Sequence, residues 1–375
     1  MSTEDGKRIL FVATVARHFY YFHQPTFRML RDAGWAVDAA AAQEADKPLR
    51  GCRRCFDLPF ARSPLRWNNL KALAQLRRIV REGNYDIIHC HTPVGGLVGR
   101  LAARGTDAKV YYTAHGFHFF PGARKRNWLL YYSVERLLAK RTDCLLTVNE
   151  EDFALAKRWL PAKELRHIHG VGCDLGRCAP LPEIERKITR KRLGLPPNAP
   201  ILLCVAELNS NKNQTLLLRA MPAVLVQFPQ ARLLLAGKDH LNGALRALCV
   251  ELKIQHAVFF LGERGDVPAL LGAADIALAA SFREGLPLNV MEAMASALPV
   301  VATNARGHRE LVVPGETGEL VPQNDAAALA REICALLASP ERREQLGRAA
   351  RMRVRSYAIE RVLAELRALY FGEDV

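Results

Sequence analysis

The chain is expected to fold as α/β, in two doubly wound domains each built on a parallel sheet. Three observations point there. Short, continuously apolar runs alternate with helical patterns through most of the 375 residues. The runs lack in-out alternation, as strands covered on both faces do. The rhythm breaks once, at residues 176–200, in a stretch rich in Pro, Arg and Lys, and then restarts. A composition of 50% hydrophobic and 24% charged residues supports real cores and argues against disorder.

The elements follow in order. Ile9–Val15 reads as a first buried strand, then a helix near Gln24–Ala33 ending at Gly34, and a strand over Trp35–Ala41. Leu70–Gly83 reads as a helix, Asp86–His91 as a strand, Val94–Arg104 as a helix and Lys109–Ala114 as a strand. A long helix over Asn127–Lys140 and the strand Asp143–Val148 follow. After a hinge and a solvated helix (Glu183–Leu193), strands are expected at Ile201–Ala206, Ala231–Ala236, Ala257–Leu261, Ile276–Ala280, Val300–Ala302 and Gly318–Val321. Helices fall between them at Asn213–Phe228, Gly243–Leu252, Val267–Ala273 and the run from Pro287 to Leu298. The expected domains are 1–178 (acceptor-binding), a linker 179–198, 199–355 (donor-binding), and a C-terminal helical segment 356–375 packing back on the first domain. Two such domains leave a cleft, and open α/β sheets take ligands at the carboxyl ends of their strands. The loops after Ala206, Ala236, Leu261 and Ala280 are therefore the ones to watch.

The formal charge of +15 implies an acidic partner: anionic lipid, nucleic acid or a phosphorylated substrate. No run approaches the length of a membrane span, and the first apolar run is too short and too acidic in front for a signal peptide. A cytoplasmic protein is expected. The nine cysteines are an odd number and mostly lie in apolar runs, as reduced buried thiols do. Cys52 and Cys55 form a single CxxC, a weak zinc signal without a second pair.

Glu284 and Glu292 carry the most information. They sit in a run where Pro287 favours a first helical turn and Leu298-Pro299 marks the exit. Val290, Met291, Ala293, Met294, Ala295 and Ala297 leave almost no polar face, so the helix should be buried. Glu292 is then a carboxylate among apolar neighbours, expensive unless hydrogen-bonded. Glu284 lies just before the helix, where free N–H groups and the positive dipole end can cradle a phosphate. A capped core helix with one satisfied Glu is the plainer alternative.

With these residues in place, the chain resembles the retaining glycosyltransferases of family 4, whose fold is GT-B: two Rossmann-like domains facing each other across a cleft. The resemblance rests on Glu284 and Glu292 with the flanking text Gly285–Ala295, and on Phe260-Leu-Gly-Glu263, Lys212 and Gly315-Glu-Thr-Gly318. In the first half it rests on Asp86–His91, Tyr112–Gly116 and Val171–Asp174. It covers essentially the whole chain. Two departures stand out: Glu207 occupies the place of the family's usual arginine, and the loop after the first strand (Thr14–His23) has no glycine but a cluster of aromatics. That loop suits a partly apolar acceptor and resembles members that build bacterial capsule and exopolysaccharide units on a polyprenyl carrier.

The resemblance implies transfer of a hexosyl group from a nucleotide diphosphate donor, a UDP-sugar, to an acceptor hydroxyl with retention. Lys212 and the N–H groups between Gly285 and Leu288, those of Gly285, Leu286 and Leu288, would stabilise the departing diphosphate, with Pro287 part of the same donor-binding turn. Lys238 or Arg283 would replace the cation missing at Glu207. Glu292 would hold the ribose, Glu284 the transferred sugar, Gly262 the loop that reads the base, and His115 would reach the donor sugar. His18, Phe19, Tyr20 and His118 are acceptor-side candidates, with His23 a weaker one. No metal or other cofactor is expected. His89 and His91 alternate and are expected on opposite faces of their strand, so that they cannot chelate one metal together; His167 and His169 are expected to be structural.

The basic residues Arg53, Arg54, Arg62, Arg66, Lys71, Arg77, Arg78 and Arg81, and the segment Gly116–Tyr132 with its aromatics beside three cations, fit docking on the anionic inner leaflet. The expected partners are a nucleotide sugar, a polyprenyl-diphosphate-linked acceptor and that lipid surface. No helix-turn-helix, zinc finger or aromatic RNA motif supports nucleic-acid binding. A nucleotide-sugar epimerase of the same architecture and a non-catalytic membrane-surface scaffold are the competing readings.

Overall fold

The computed structural model describes residues 6–43, 51–64 and 66–372. The chain divides into two units, one of residues 1–171 with 362–375, the other of 172–361.

The first unit holds a seven-stranded sheet of β1 (Arg8–Val15), β2 (Ala36–Ala42), β3 (Arg54–Asp57), β4 (Ile87–His91), β5 (Lys109–Ala114), β6 (Cys144–Thr147) and β7 (Glu164–His167). Its order is β3-β2-β1-β4-β5-β6-β7 and every pair is parallel. The second unit holds β8 (Ile201–Val205), β9 (Arg232–Ala236), β10 (Val258–Gly262), β11 (Ile276–Ala279), β12 (Val300–Thr303) and β13 (Gly318–Val321). These are also all parallel, in the order β10-β9-β8-β11-β12-β13. Parallel neighbours need a crossover between them, and covering both sheet faces with helices is why the strands read as unbroken apolar runs. Ile9 to Ala13 of β1 are all buried.

Several elements differ from the sequence expectation. The aromatic stretch after β1 is a helix, Ala16–Phe22, joined at His23 to the helix Gln24–Asp32. Asn127–Lys140 is not one regular helix: a short turn Lys125–Asn127 leads into a π-helical turn, Trp128–Tyr132, before Ser133–Ala139. The helix after the break, Glu183–Arg192, is docked rather than solvated on all sides. Arg186 and Arg190 each place a guanidinium nitrogen 2.7 Å from Asp275, just before β11. Residues 179–198 thus lie inside the second unit, because two cations on one helix face share one carboxylate of its sheet. The division also falls at 171/172, not 178, and the second unit extends to 361 rather than 355. Cys173 N donates to Tyr357 O and Ile359 N donates to Cys173 O, tying 172–174 to 357–359.

The C-terminal helix Ile359–Phe371 supplies the first unit with Tyr370, whose hydroxyl is 2.6 Å from His89 Nδ1, and Glu365, whose carboxylate is 2.6 Å from His169 Nδ1. Cys52 and Cys55 are joined by a disulfide, and the other seven cysteines are free and buried. No described helix is long and apolar enough to cross a membrane.

Candidate active site

In the second sheet the strand order reverses between β8 and β11, and the loops that leave these two strands flank the reversal. That is where an open parallel sheet offers a ligand crevice. The loop after β8 is shaped by Asn209, whose side-chain oxygen accepts the amides of Asn211 (3.1 Å) and Lys212 (3.0 Å). Asn211 then reaches across: its side chain donates to Arg283 O at 3.0 Å, and its carbonyl accepts the Phe282 amide at 2.8 Å. These bonds deliver Lys212 Nζ to 2.7 Å from Glu284 Oε1. An ammonium has three N–H donors, so two remain for another anion.

Glu284 is largely buried. Burial alone would push its carboxyl up, but the Lys212 ammonium and hydrogen bonds from Lys212 and Ser281 outweigh that and hold it below the ordinary range. Its backbone carbonyl accepts the Gly307 amide at 3.2 Å. Gly307 must be glycine, since a Cβ there would stand 2.6 Å from Gly285 O. His308, the next residue, is fully buried and donates from Nδ1 to Thr303 O at 2.7 Å; its Nε2 is buried without a hydrogen-bond partner among the described residues. Glu284 opposes, but does not overcome, the lowering of the His308 pKa by burial. His308 is a site residue the sequence reading missed, because it sits on a separate six-residue helix, Arg306–Leu311.

The helix that carries Glu292 runs Leu288–Ala295. Pro287 stands just outside it in an extended conformation, one position earlier than expected, and Leu286 and Leu288 pack on the core. Val290, Met291, Ala293, Met294 and Ala295 are buried, whereas Glu292 is half-buried on the remaining stripe. Burial raises its pKa, opposed by the nearby Arg177 guanidinium, and no hydrogen bond from the described residues reaches its carboxylate. Arg177 is a second residue the sequence reading missed. Of the first-turn amides of this helix, that of Val290 donates to Pro287 O at 3.1 Å, while those of Leu288 and Asn289 have no acceptor among the described residues, and the helix dipole is positive there.

The other donor-side candidates spread along the same edge. Gly237 N donates to Gly262 O at 2.7 Å, joining the ends of β9 and β10. A Cβ at Gly237 would lie 1.9 Å from Ala206 O, so only glycine fits. Gly262 has φ +68°, in the left-handed region. Lys238 is exposed. Glu207 stands 3.8 Å from His240 Nε2, so the place of the family's arginine carries an acid beside an imidazole. Arg283 is partly exposed, held through its carbonyl by Asn211.

In the first sheet the order reverses between β1 and β4. His18 and His23 lie on the segment after β1, His91 ends β4 and His115 follows β5. One ring nitrogen from each lies within 4.8 Å of one from each of the others. His89 and His91, expected on opposite faces, share one face with ring centroids 4.2 Å apart, because residues two apart on a strand point the same way. His89 is satisfied by Tyr370 and by Thr113 Oγ1 at 2.8 Å. Phe19, an acceptor-side candidate, is instead fully buried against Phe11 and Phe27, since the loop expected there is a helix whose inner face fills the core. Tyr20 is half-buried with its ring against Tyr21, and His118 stacks on Tyr131 at 4.5 Å. His167 and His169 have ring centroids 5.4 Å apart at the end of β7.

Comparison with known proteins gives the family and the fold. Residues 185–353 match the model of the family "Glycosyl transferases group 1", and residues 24–172 that of the "Glycosyl transferase 4-like domain". The chain is 41% identical to a putative glycosyltransferase EpsD from Bacillus subtilis, over 97% of this chain and 96% of that one. It is 29% identical to an Escherichia coli UDP-Gal:alpha-D-GlcNAc-diphosphoundecaprenol alpha-1,3-galactosyltransferase, covering 68% of this chain and 67% of that one. The structure of Anabaena HepE in complex with UDP and glucose superposes with a TM-score of 0.81 at 19% identity, over 98% of this chain and 100% of that one. The two Rossmann-like units are those of the GT-B fold.

Proposed function

The chain belongs to the glycosyltransferases, and on that premise we propose that it moves a hexose from a nucleotide-diphosphate donor, a UDP-sugar, to a lipid-linked acceptor with retention of configuration, in the synthesis of a bacterial surface polysaccharide. The observation that carries the donor half is the Lys212–Glu284 pair at the reversal of the second sheet, beside the amides that open the Glu292 helix. The bond to be broken joins the anomeric carbon to the diphosphate, so negative charge grows on the diphosphate as the sugar departs. Lys212 and the first-turn amides are fixed in place to meet that charge and need no reorganisation. Glu284, kept ionised by Lys212, accepts hydroxyls of the sugar and faces the positive charge developing on its ring. Glu292 accepts the ribose hydroxyls, which supply the hydrogen bonds its half-buried carboxylate lacks. The transfer itself is read as metal-independent.

The acceptor half rests on the first unit's surface and on the E. coli relative, whose name specifies a diphosphoundecaprenol-linked acceptor. Trp67 is 80% exposed beside Arg66 and Lys71, at a groove of about 260 Å³ also lined by Leu70 and Leu97. Leu129 is 78% exposed after the exposed Arg124, Lys125 and Arg126. Exposed apolar side chains among cations suit the headgroup region of an anionic leaflet, which supports a peripheral location there. Not all of the basic cluster serves: Arg53 is spent on buried Asp38.

Thermal unfolding with a panel of UDP-, GDP- and ADP-sugars tests the donor class, because a ligand of the folded state raises the midpoint by mass action. Stabilisation by none of them would overturn the donor assignment. Product analysis with donor alone separates transfer from epimerisation, which needs no acceptor.

A further inference from the structure

The first unit carries a cluster of four histidine rings whose packing against one another the transfer reaction does not explain. His18 and His23 come from the Ala16–Phe22 helix and the residue that closes it, His91 from the end of β4, and His115 from the residue after β5. They converge at the reversal of the first sheet, walled by Phe11 and Phe19. The rings hydrogen-bond only to each other among the described residues: His18 Nε2 to His23 Nε2 at 3.1 Å, and His91 Nδ1 to His115 Nε2 at 3.1 Å. His91 is 1% exposed, and its Nε2 is buried with no hydrogen-bond partner among the described residues. Their neighbour His89 is the contrast, with both ring nitrogens bonded to protein hydroxyls. Buried polar groups are normally satisfied, so four imidazoles with two bonds among them leave nitrogen lone pairs directed at one another.

We propose that His18, His23, His91 and His115 form a binding site for a late first-row divalent metal ion of the zinc class. Four neutral nitrogen donors without a carboxylate or thiolate match the preference of zinc, copper and nickel and not that of magnesium or calcium. A tetrahedral zinc with Zn–N bonds of about 2.0–2.1 Å needs nitrogens about 3.3 Å apart. The two 3.1 Å contacts are already near that edge. The nitrogens all lie within 4.8 Å of one another, and His18 and His115, the two rings that are only partly buried, are the ones with room to turn inward. Burial lowers the pKa of all four, that of His115 to about 4, so the lone pairs are available at neutral pH. A metal here would fix the helix after β1 to the ends of β4 and β5 and would engage His115, the residue that family resemblance gives to the donor sugar. It would therefore govern the position of His115.

The test uses the full chain, dialysed against chelator and then titrated with zinc chloride by calorimetry and with cobalt(II) chloride by absorption. One equivalent is expected, with an intense visible cobalt spectrum of a tetrahedral nitrogen site and no sulfur-to-cobalt charge transfer. His23→Gln and His91→Gln are each expected to weaken binding at least ~100-fold, the upper range for loss of an outer-shell partner. Cys52→Ser with Cys55→Ser is expected to leave the stoichiometry at one. Failure of the wild-type chain to bind one equivalent, a weak octahedral cobalt spectrum, or a sulfur charge-transfer band would each overturn the proposal. So would unchanged affinity in either His→Gln variant. The cobalt spectrum of the wild type decides the matter even if a variant fails to fold, and none of these readouts depends on transferase activity.

Discussion

Lys212 Nζ lies 2.7 Å from Glu284 Oε1, and the two residues arrive on loops from either side of the reversal in the second sheet. One charge-assisted bond thus fixes both the cation proposed for the diphosphate and the acid proposed for the sugar. Neither side chain has to search for its place when a donor enters.

Lys212→Met should lower kcat by about 10²–10³-fold, the usual loss when one fixed donor to a developing anion is removed. It should also let the Glu284 pKa rise, since the ammonium beside it supplies the main force holding it down against burial. Steady-state kinetics with a saturating donor provide the check, and a kcat equal to the wild type would remove Lys212 from the chemistry.

The two glutamates should respond to pH with opposite sign. The folded pKa of Glu284 is depressed, so its stabilisation is present above its unfolded pKa of about 4.3 and disappears as pH falls through the folded value. The folded pKa of Glu292 is raised, so its stabilisation exists below the unfolded value and is lost as pH rises through the folded value. At neutral pH an ionised Glu292 therefore costs the unliganded protein stability. Glu292→Gln should leave the midpoint unchanged or raise it by up to about 2–4 °C, for a gain of about 1 kcal/mol, while erasing the donor-induced shift. Glu284→Gln should lower the midpoint at neutral pH, with the difference shrinking as pH falls below about 4.3. Thermal melts across pH, with and without donor, measure both.

Ala297 ends the Glu292 helix at φ +56°, a left-handed position closed by the Leu298 amide donating to Ala293 O at 3.1 Å. Glycine is the residue for that position, and Ala297→Gly should stabilise by about 0.5–1 kcal/mol. Gly347→Ala should do the reverse, because its Cβ would meet Ala297 O at 2.0 Å and force the helix Pro340–Val354 away. A loss of about 1–3 kcal/mol is expected, as for other overpacked sites. Urea titration of both variants is sufficient.

Arg100 is buried, 2.8 Å from Glu135 Oε2, and lies over the Tyr112 ring at 3.9 Å. Removing one partner, as in Glu135→Leu, should cost about 3–5 kcal/mol by stranding a charge. Arg100→Met combined with Glu135→Leu should recover most of that loss, which a double-mutant cycle would show.

The alternation of strand and helix was legible because strands covered on both faces are apolar throughout and so announce themselves. β3 (Arg54–Asp57) was not, since it lies at the sheet edge and is mostly exposed. The Ala16–Phe22 helix was read as a loop because aromatic and β-branched neighbours mask a short helical period. Glu284 and Lys212 could be singled out from local text, but the bond between them spans 72 positions and belongs to the fold. The histidine quartet was illegible for the same reason: three segments contribute to it, and no sequence spacing links them.

The return of the C-terminal helix has a temporal consequence. His89 finds its hydroxyl partner on Tyr370, and His169 its carboxylate on Glu365, and both partners follow the whole second unit in the chain. Between Val171 and these residues the intervening unit must be translated, roughly 10–40 s at about 5–20 residues per second. Throughout that interval the nascent first unit lacks the partners of His89 and His169, so a chain cut anywhere within the second unit leaves the first unit unfinished as well.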